Sequence, residues 1–214
     1  MNPAIRPATA DDAPMLAEVV LLASRSQVET GIFDLLIETN DRDRLTAIRA
    51  ILTTEQPSWC HYKNFLIAEV DGRPAAALSG YAAYDESFMR MEHVFLAGFR
   101  ALEMSDEQIS AGFTRSLVFL KCVSDDLPSC WVIEWVACLS EFRRRGLVRA
   151  LLPAIIERGR EGDHNIIQIG IYIGNISAQR AYEDAGFVLE YEKPDPEFQA
   201  VIGCPGLARL LLTD

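Results

Sequence analysis

The sequence predicts an α/β (α+β) fold, a single domain with a mixed central β-sheet flanked by helices. Three observations predict it. Apolar runs of strand length alternate with segments of helical periodicity. Asp71-Gly72 between two apolar runs is a strong hairpin signal, because glycine tolerates the positive φ of a tight turn. Beyond the hairpin the order becomes β-α-β-α-β, so hairpin pairing and crossover pairing meet in one sheet. The 214 residues suffice for one domain with a sizeable core, and neither an internal repeat nor a linker is visible.

In chain order, Ile5 to Thr9 reads as a short strand, and Thr9 or Asp11 caps a helix from Asp12 to about Ala23. A second helix covers Asp41 to Thr54, with Leu45, Ile48, Ile51 and Leu52 on one face. Phe65–Val70 and Ala75–Tyr81 are the hairpin strands. Phe88 to Met104 and Asp106 to Lys121 have helical spacing. Trp131 to Leu139 is a buried strand, Leu147 to Gly159 a helix, Ile166 to Ile173 a strand, Ser177 to Ala185 a short helix and Phe187 to Glu192 a strand. Pro153 inside a helix predicts a kink or wide turn, since proline removes one backbone hydrogen bond. Pro194, Pro196 and Pro205 leave Phe198 to Leu212 without a clear assignment.

The formal net charge of -11 disfavours nonspecific nucleic-acid binding and an anionic membrane surface, and mildly favours a cationic substrate. No apolar stretch approaches the roughly 20 residues of a membrane span. The start of the chain lacks the apolar core of a signal peptide, and a cytoplasmic protein is expected. The five cysteines form no CxxC pair, which argues for free thiols and for no metal. His61, His93 and His164 show no partner pattern.

Against this acidic background, four arginines surround one glycine in Arg143-Arg144-Arg145-Gly146-Leu147-Val148-Arg149. A strand precedes this turn and a helix follows it. Free amides and the positive dipole end at a helix start suit phosphate. Further on stand Asn175, Ala178, Tyr182, Gly186 and Phe187. The two motifs, in this order and separated by one helix and one strand, resemble the GNAT superfamily of N-acetyltransferases. Their patterns there are (Arg/Gln)-x-x-Gly-x-(Gly/Ala) and Asn-x-x-Ala-x-x-x-Tyr-x-x-x-Gly-Phe. The resemblance covers about Trp131 to Glu192, and the early strands fit more loosely. Val148 departs from it, standing where a Gly or Ala is usual. Residues about 86–128 exceed the minimal fold and are expected to form a helical insertion that shapes the acceptor site or a homodimer contact.

The resemblance implies acetyl-CoA as co-substrate. It implies that the backbone of Val136, Ala137 and Cys138 pairs with the pantetheine arm as an added strand. It also implies that the diphosphate rests on the amides of the arginine turn, Arg143, Arg144, Arg145, Gly146, Leu147, Val148 and Arg149. Asn175 and Ser177 would contact the coenzyme or cap their helix. Tyr182 matches the superfamily's general acid, the alternative being a packing tyrosine. Glu134 is the candidate base. Strand alternation places it on one face with Val132, Val136 and Cys138, where desolvation would raise its pKa. The alternative is a paired structural carboxylate, for instance one bonded to an arginine. Cys138 is read as a small core residue rather than a nucleophile. Trp59, Cys60, His61 and Tyr62, and also Tyr81, Tyr84 and Glu86, are candidates for the acceptor side. The function this implies is acetyl transfer to a primary amine of a small molecule or peptide by direct attack. The alternatives are a non-catalytic acyl-CoA-binding regulatory module and a transferase for longer acyl chains.

Overall fold

Strand-length apolar runs assemble one seven-stranded sheet in the order β1-β2-β3-β4-β5-β7-β6. The computed structural model describes residues 3–55, 57–83, 91–123 and 126–213, and the side chains of residues 91–93 lie outside that description. The strands are β1 (Ala4–Pro7), β2 (Phe65–Val70), β3 (Arg73–Ala82), β4 (Trp131–Cys138), β5 (Ile166–Tyr172), β6 (Val188–Pro194) and β7 (Gly206–Thr213). The helices are α1 (Ala13–Arg25), α2 (Ile32–Leu36), α3 (Asp41–Leu52), α4 (Met91–Ala101), α5 (Asp106–Ser116), α6 (Leu147–Glu161), α7 (Ile176–Glu183) and α8 (Pro196–Ile202).

The expected hairpin is present. Asp71 and Gly72 take φ of 52° and 72°, the left-handed geometry that joins β2 to β3 in two residues. The predicted helix from Phe88 is described only as α4, and Tyr84 and Glu86 lie outside the described residues. The predicted Asp106–Lys121 helix is α5 followed by a 3-10 turn, Leu117–Lys121. Ser105 and Gln108 close a capping box at its start, with the Ser105 amide donating to Gln108 Oε1 at 2.9 Å. α6 runs across Pro153 as one helix.

Two assignments that the prolines hid are now clear. Pro196 occupies the first turn of α8, where no amide is needed, and Asp195 Oδ1 accepts from the amides of Glu197 and Phe198, both at 2.9 Å. β7 lies between β5 and β6, antiparallel to both.

The core lies on both faces of the sheet. On one face α1, α2, α3 and α4 bury Leu16, Val20, Phe33, Ile48, Ile51 and Phe99 against Phe65, Ile67 and Ala77. On the other face α6 sets Leu151, Leu152 and Ile155 against Leu78, Ile133 and Ile169. Gly159 lets α6 approach, since a Cβ there would stand 2.7 Å from Trp131 Cγ. A third cluster under β5 and β7 joins Phe119, Cys122, Tyr172 and Phe198.

Two irregularities open the centre of the sheet. β4 and β5 are parallel and pair only from Trp131–Ile167 to Ile133–Ile169, beyond which β4 has no partner on that side. On its other side β4 carries a bulge, for Ala77 faces Ala137 and Ser79 faces Glu134, so Leu78 stands against both Trp135 and Val136. Trp135 takes a φ of 53° to accommodate it. This overturns the simple alternation expected for the strand. Trp135 and Ala137 turn to the α1 face, while Val136 and Cys138 join Trp131 and Ile133 on the α6 face.

Candidate active site

Where β4 and β5 separate, a cavity of ≈ 580 Å³ runs through the middle of the molecule. Glu134 stands on its wall, one residue after the last β4–β5 pair. Of the residues the sequence singled out, Val136, Ala137, Cys138, Arg143, Val148, Asn175, Ser177 and Tyr182 line the same cavity. Residues from three separate segments thus meet at one opening.

Glu134 is a cavity group whose perturbation brings its titration near neutral pH. Part of the residue reaches the cavity surface, yet Oε2 has neither solvent contact nor a hydrogen-bond partner. Burial, reinforced by the nearby Asp126 carboxylate, pushes its pKa up to about 7, and a hydrogen bond from the Tyr81 hydroxyl works in the opposite direction. Among the described residues the salt bridges include no arginine on Glu134, and its hydrogen-bond partner is Tyr81. Asp126 itself accepts from Gln168 Nε2 at 2.6 Å. Gln168 Oε1 in turn receives the Leu127 amide at 3.2 Å, so this polar network is anchored on β5.

The arginine turn is built around positive φ at Arg144 (61°) and Gly146 (73°). A right-handed helix cannot start through such residues, so α6 begins at Leu147, and its first internal bond runs from the Ala150 amide to Gly146 O at 3.0 Å. The amides before Ala150 are the unpaired donors of a helix start, and successive amides around left-handed residues form an anion-binding concavity. The side chains divide their work. Arg143 lines the cavity beside Cys138. Arg145 lies over the Phe142 ring at 5.5 Å. Arg149 pairs with Asp184 and so ties α6 to α7. Leu147 is core, and Val148 packs on the α6-side cluster while also touching the cavity.

Asn175 caps α7 by accepting from the Ala178 amide at 3.0 Å, and its Nδ2 donates to Ser26 Oγ at 2.7 Å. Its carboxamide is therefore engaged at both ends. Two further bonds run alongside, Tyr172 Oη to Ser24 O at 2.7 Å and Gln27 Nε2 to Ile173 O at 3.2 Å. Together they fasten the end of α1 and the residues after it to the end of β5 and the turn that follows. Ser177 is exposed at the mouth. Tyr182 is buried against Phe187, with ring centroids 6.2 Å apart, and burial holds its phenol well above the usual value. The Cys138 thiol is likewise raised by burial, which fits a packing residue rather than a nucleophile.

Sequence reasoning had no signal for Asp126, which precedes β4, or for Gln168, which β5 brings in beside Val132. Trp59 and Tyr81, candidates for the acceptor side, do line the cavity. Cys60 and His61 are buried, and His61 Nδ1 accepts from the Lys63 amide at 3.2 Å. No group of three or more His, Cys, Asp or Glu among the described residues is arranged to hold a metal ion. No helix among them is long and apolar enough to cross a membrane.

The profile of the acetyltransferase (GNAT) family matches residues 33–187. The chain belongs to the GNAT acetyltransferase family. Solved structures agree on the fold. An N-acetyltransferase from Staphylococcus aureus Mu50 is 18% identical with a TM-score of 0.64, and the match covers 98% of this chain and 100% of that one. A ribosomal-protein-alanine N-acetyltransferase from Brucella melitensis is 16% identical with a TM-score of 0.56, covering 99% of each chain. The protein yncA from Salmonella typhimurium, solved with its cofactor acetyl-CoA, is 16% identical with a TM-score of 0.53, covering 100% of this chain and 94% of that one. No curated protein sequence matches the chain. In this GNAT domain both motifs border the split between β4 and β5.

Proposed function

We propose that this GNAT domain transfers an acetyl group from acetyl-CoA to a primary amine of a small molecule or peptide, by direct attack within a ternary complex. The observation that carries the reading is Glu134, a buried carboxylate one residue past the last β4–β5 pair, with its pKa pushed up to about 7. The chain's features suit the co-substrate. The unpaired edge of β4 at Val136, Ala137 and Cys138 offers amides and carbonyls to the pantetheine arm, and the amides of the Arg143–Arg149 turn suit the diphosphate.

An alkylammonium group with a pKa near 10.4 costs roughly 4–5 kcal/mol to neutralise at pH 7. Glu134 accepts that proton, directly or through a water, and a base with a pKa near the working pH is matched to the task. The amine nitrogen then bonds to the thioester carbonyl carbon and the C–S bond breaks. Tyr182 donates to the departing sulfur. Burial disfavours the phenolate and a neighbouring thiolate alike, so the two basicities rise together and the transfer stays feasible. The Brucella relative is described as acting on a protein's alanine, which supports including peptide amines among the acceptors.

The test follows thiol release from acetyl-CoA over a panel of amines. Turnover with at least one amine is expected, and Tyr182→Phe should lower kcat by about 10²-fold while changing coenzyme affinity little. Coenzyme binding without turnover of any amine would overturn the reading in favour of a non-catalytic acyl-CoA-binding module.

A further inference from the structure

The bulge in β4 turns Trp135 onto the α1 face, immediately next to Glu134. There it stacks on Trp59, with centroids 5.5 Å apart and planes 22° from parallel. Phe95 meets Trp59 edge-on at 6.1 Å, and Phe33 braces both Phe95 and Trp135 at 6.0 Å and 5.9 Å. Three of these four rings, Trp59, Trp135 and Phe95, line the cavity together with Ile32. The two tryptophans are only half-buried, so an aromatic wall stands partly uncovered beside the candidate base. A bulky residue at positive φ is a backbone outlier, and such outliers cluster where a site constrains the chain.

The charges around the cavity are as selective as the rings. Its described carboxylates are Glu134 and Asp126. Its described cations are Arg143, in the arginine turn, and Arg209. Arg209 is already held by Glu190 at 2.5 Å and lies over Tyr191 at 4.6 Å. An amine nitrogen would be attracted to the acidic pair. An acceptor carboxylate beside that amine would meet like charge, with no described cation at the aromatic end to receive it.

We propose that the acceptor is an amine carried on a flat apolar body that lacks a carboxylate, with its ring against Trp59 and Trp135 and its nitrogen at Glu134. The proposal rests on the acetyl-transfer reading and narrows it to a substrate class. An aliphatic polyamine would satisfy the two carboxylates but leave the ring wall against a hydrated chain. An amino acid would satisfy the rings and be opposed by the carboxylates.

Calorimetric titration of the CoA-saturated protein with phenethylamine, phenylalanine and spermidine tests the class without depending on turnover. Phenethylamine should bind at least about tenfold more tightly than either of the others, the discrimination a like charge or an unfilled apolar pocket produces. Trp59→Ala should weaken phenethylamine roughly tenfold by removing one ring of the aromatic wall. Ile32→Trp, which enlarges another residue lining the same cavity, should do the same. Equal or tighter binding of phenylalanine or spermidine overturns the proposal. So does wild-type phenethylamine affinity in whichever of the two variants still melts cooperatively. A tight phenethylamine complex that releases no thiol from acetyl-CoA overturns acetyl transfer and leaves the ligand class standing. Turnover of spermidine in preference to phenethylamine keeps acetyl transfer and overturns the class.

Discussion

Carboxylates in two regions of this molecule behave in opposite ways, and the difference lies in whether an arginine can reach them. In the N-terminal layer, Arg6 bridges Asp12 at 2.8 Å and Glu69 at 2.7 Å. Arg25 bridges Asp34 at 2.6 Å and Asp41 at 2.5 Å, and Arg44 reaches the same two at 3.2 Å and 2.9 Å. The Arg6 hydrogen bonds hold Asp12 down at about 2, and those of Arg25 do the same for Asp41. Burial pushes Asp34 upward, yet the bonds from Arg25 and the Gly31 amide outweigh it and the pKa falls. In the cleft, Glu134 is desolvated beside Asp126, with a tyrosine hydroxyl as its partner among the described residues, and it rises to about 7. The first arrangement fixes α1, α2 and α3 in place. The second leaves a group that changes charge near neutral pH, which fits proton transfer and does little for rigidity.

Exchanging the charge in the cleft should have the largest effect. Glu134→Gln should lower kcat/KM by at least about 10²-fold, measured as thiol release with the best amine. The same change should make the fold more stable at pH 8 than at pH 5, relative to wild type. The sign follows from a folded-state pKa near 7 above the ordinary glutamate value of 4.5, because ionising Glu134 weakens the native state as pH rises between those values. The gain at pH 8 should be about 2–3 kcal/mol, and equal melting shifts at both pH values would break the contrast. The N-terminal network should respond in the reverse sense. Arg25→Ala should cost about 1–3 kcal/mol at pH 7, tempered by the half-exposed Asp41, with the loss shrinking as pH falls toward 2 and the carboxylates protonate. Urea unfolding across pH 3 to 8 measures it. The smallest effect belongs to Tyr81→Phe. It removes the hydrogen bond that favours ionised Glu134, so the acid limb of kcat/KM should move up by about one pH unit. An unmoved limb would separate Tyr81 from the base.

Much of this was legible in the sequence because it is local. The Asp71-Gly72 hairpin and the arginine turn each need only adjacent residues of the right type. Glu134 could be chosen as the candidate base because a carboxylate among the valines of an apolar strand is desolvated by its own neighbours. What stayed hidden depends on partners distant in the chain. The bulge at Trp135 exists only against β3, and it reverses the facing of every later residue on β4. Asp126 precedes β4 yet acts on Glu134, and Gln168 belongs to another strand altogether. α8 and β7 were obscured by prolines that break elements in general. Here Pro196 begins a helix and Pro205 lies between elements.

The position of β7 sets an order on the making of this protein. β5 contacts β4 through three residue pairs but contacts β7 through seven, and β6 has β7 as its sheet neighbour. β7 is synthesised after every other strand of the sheet. While it is still inside the ribosome, β5 has a nearly bare edge and β6 has no neighbour at all. The N-terminal hairpin and its helices can collapse early, whereas the half that borders the cleft must wait for Gly206–Thr213 to emerge and insert.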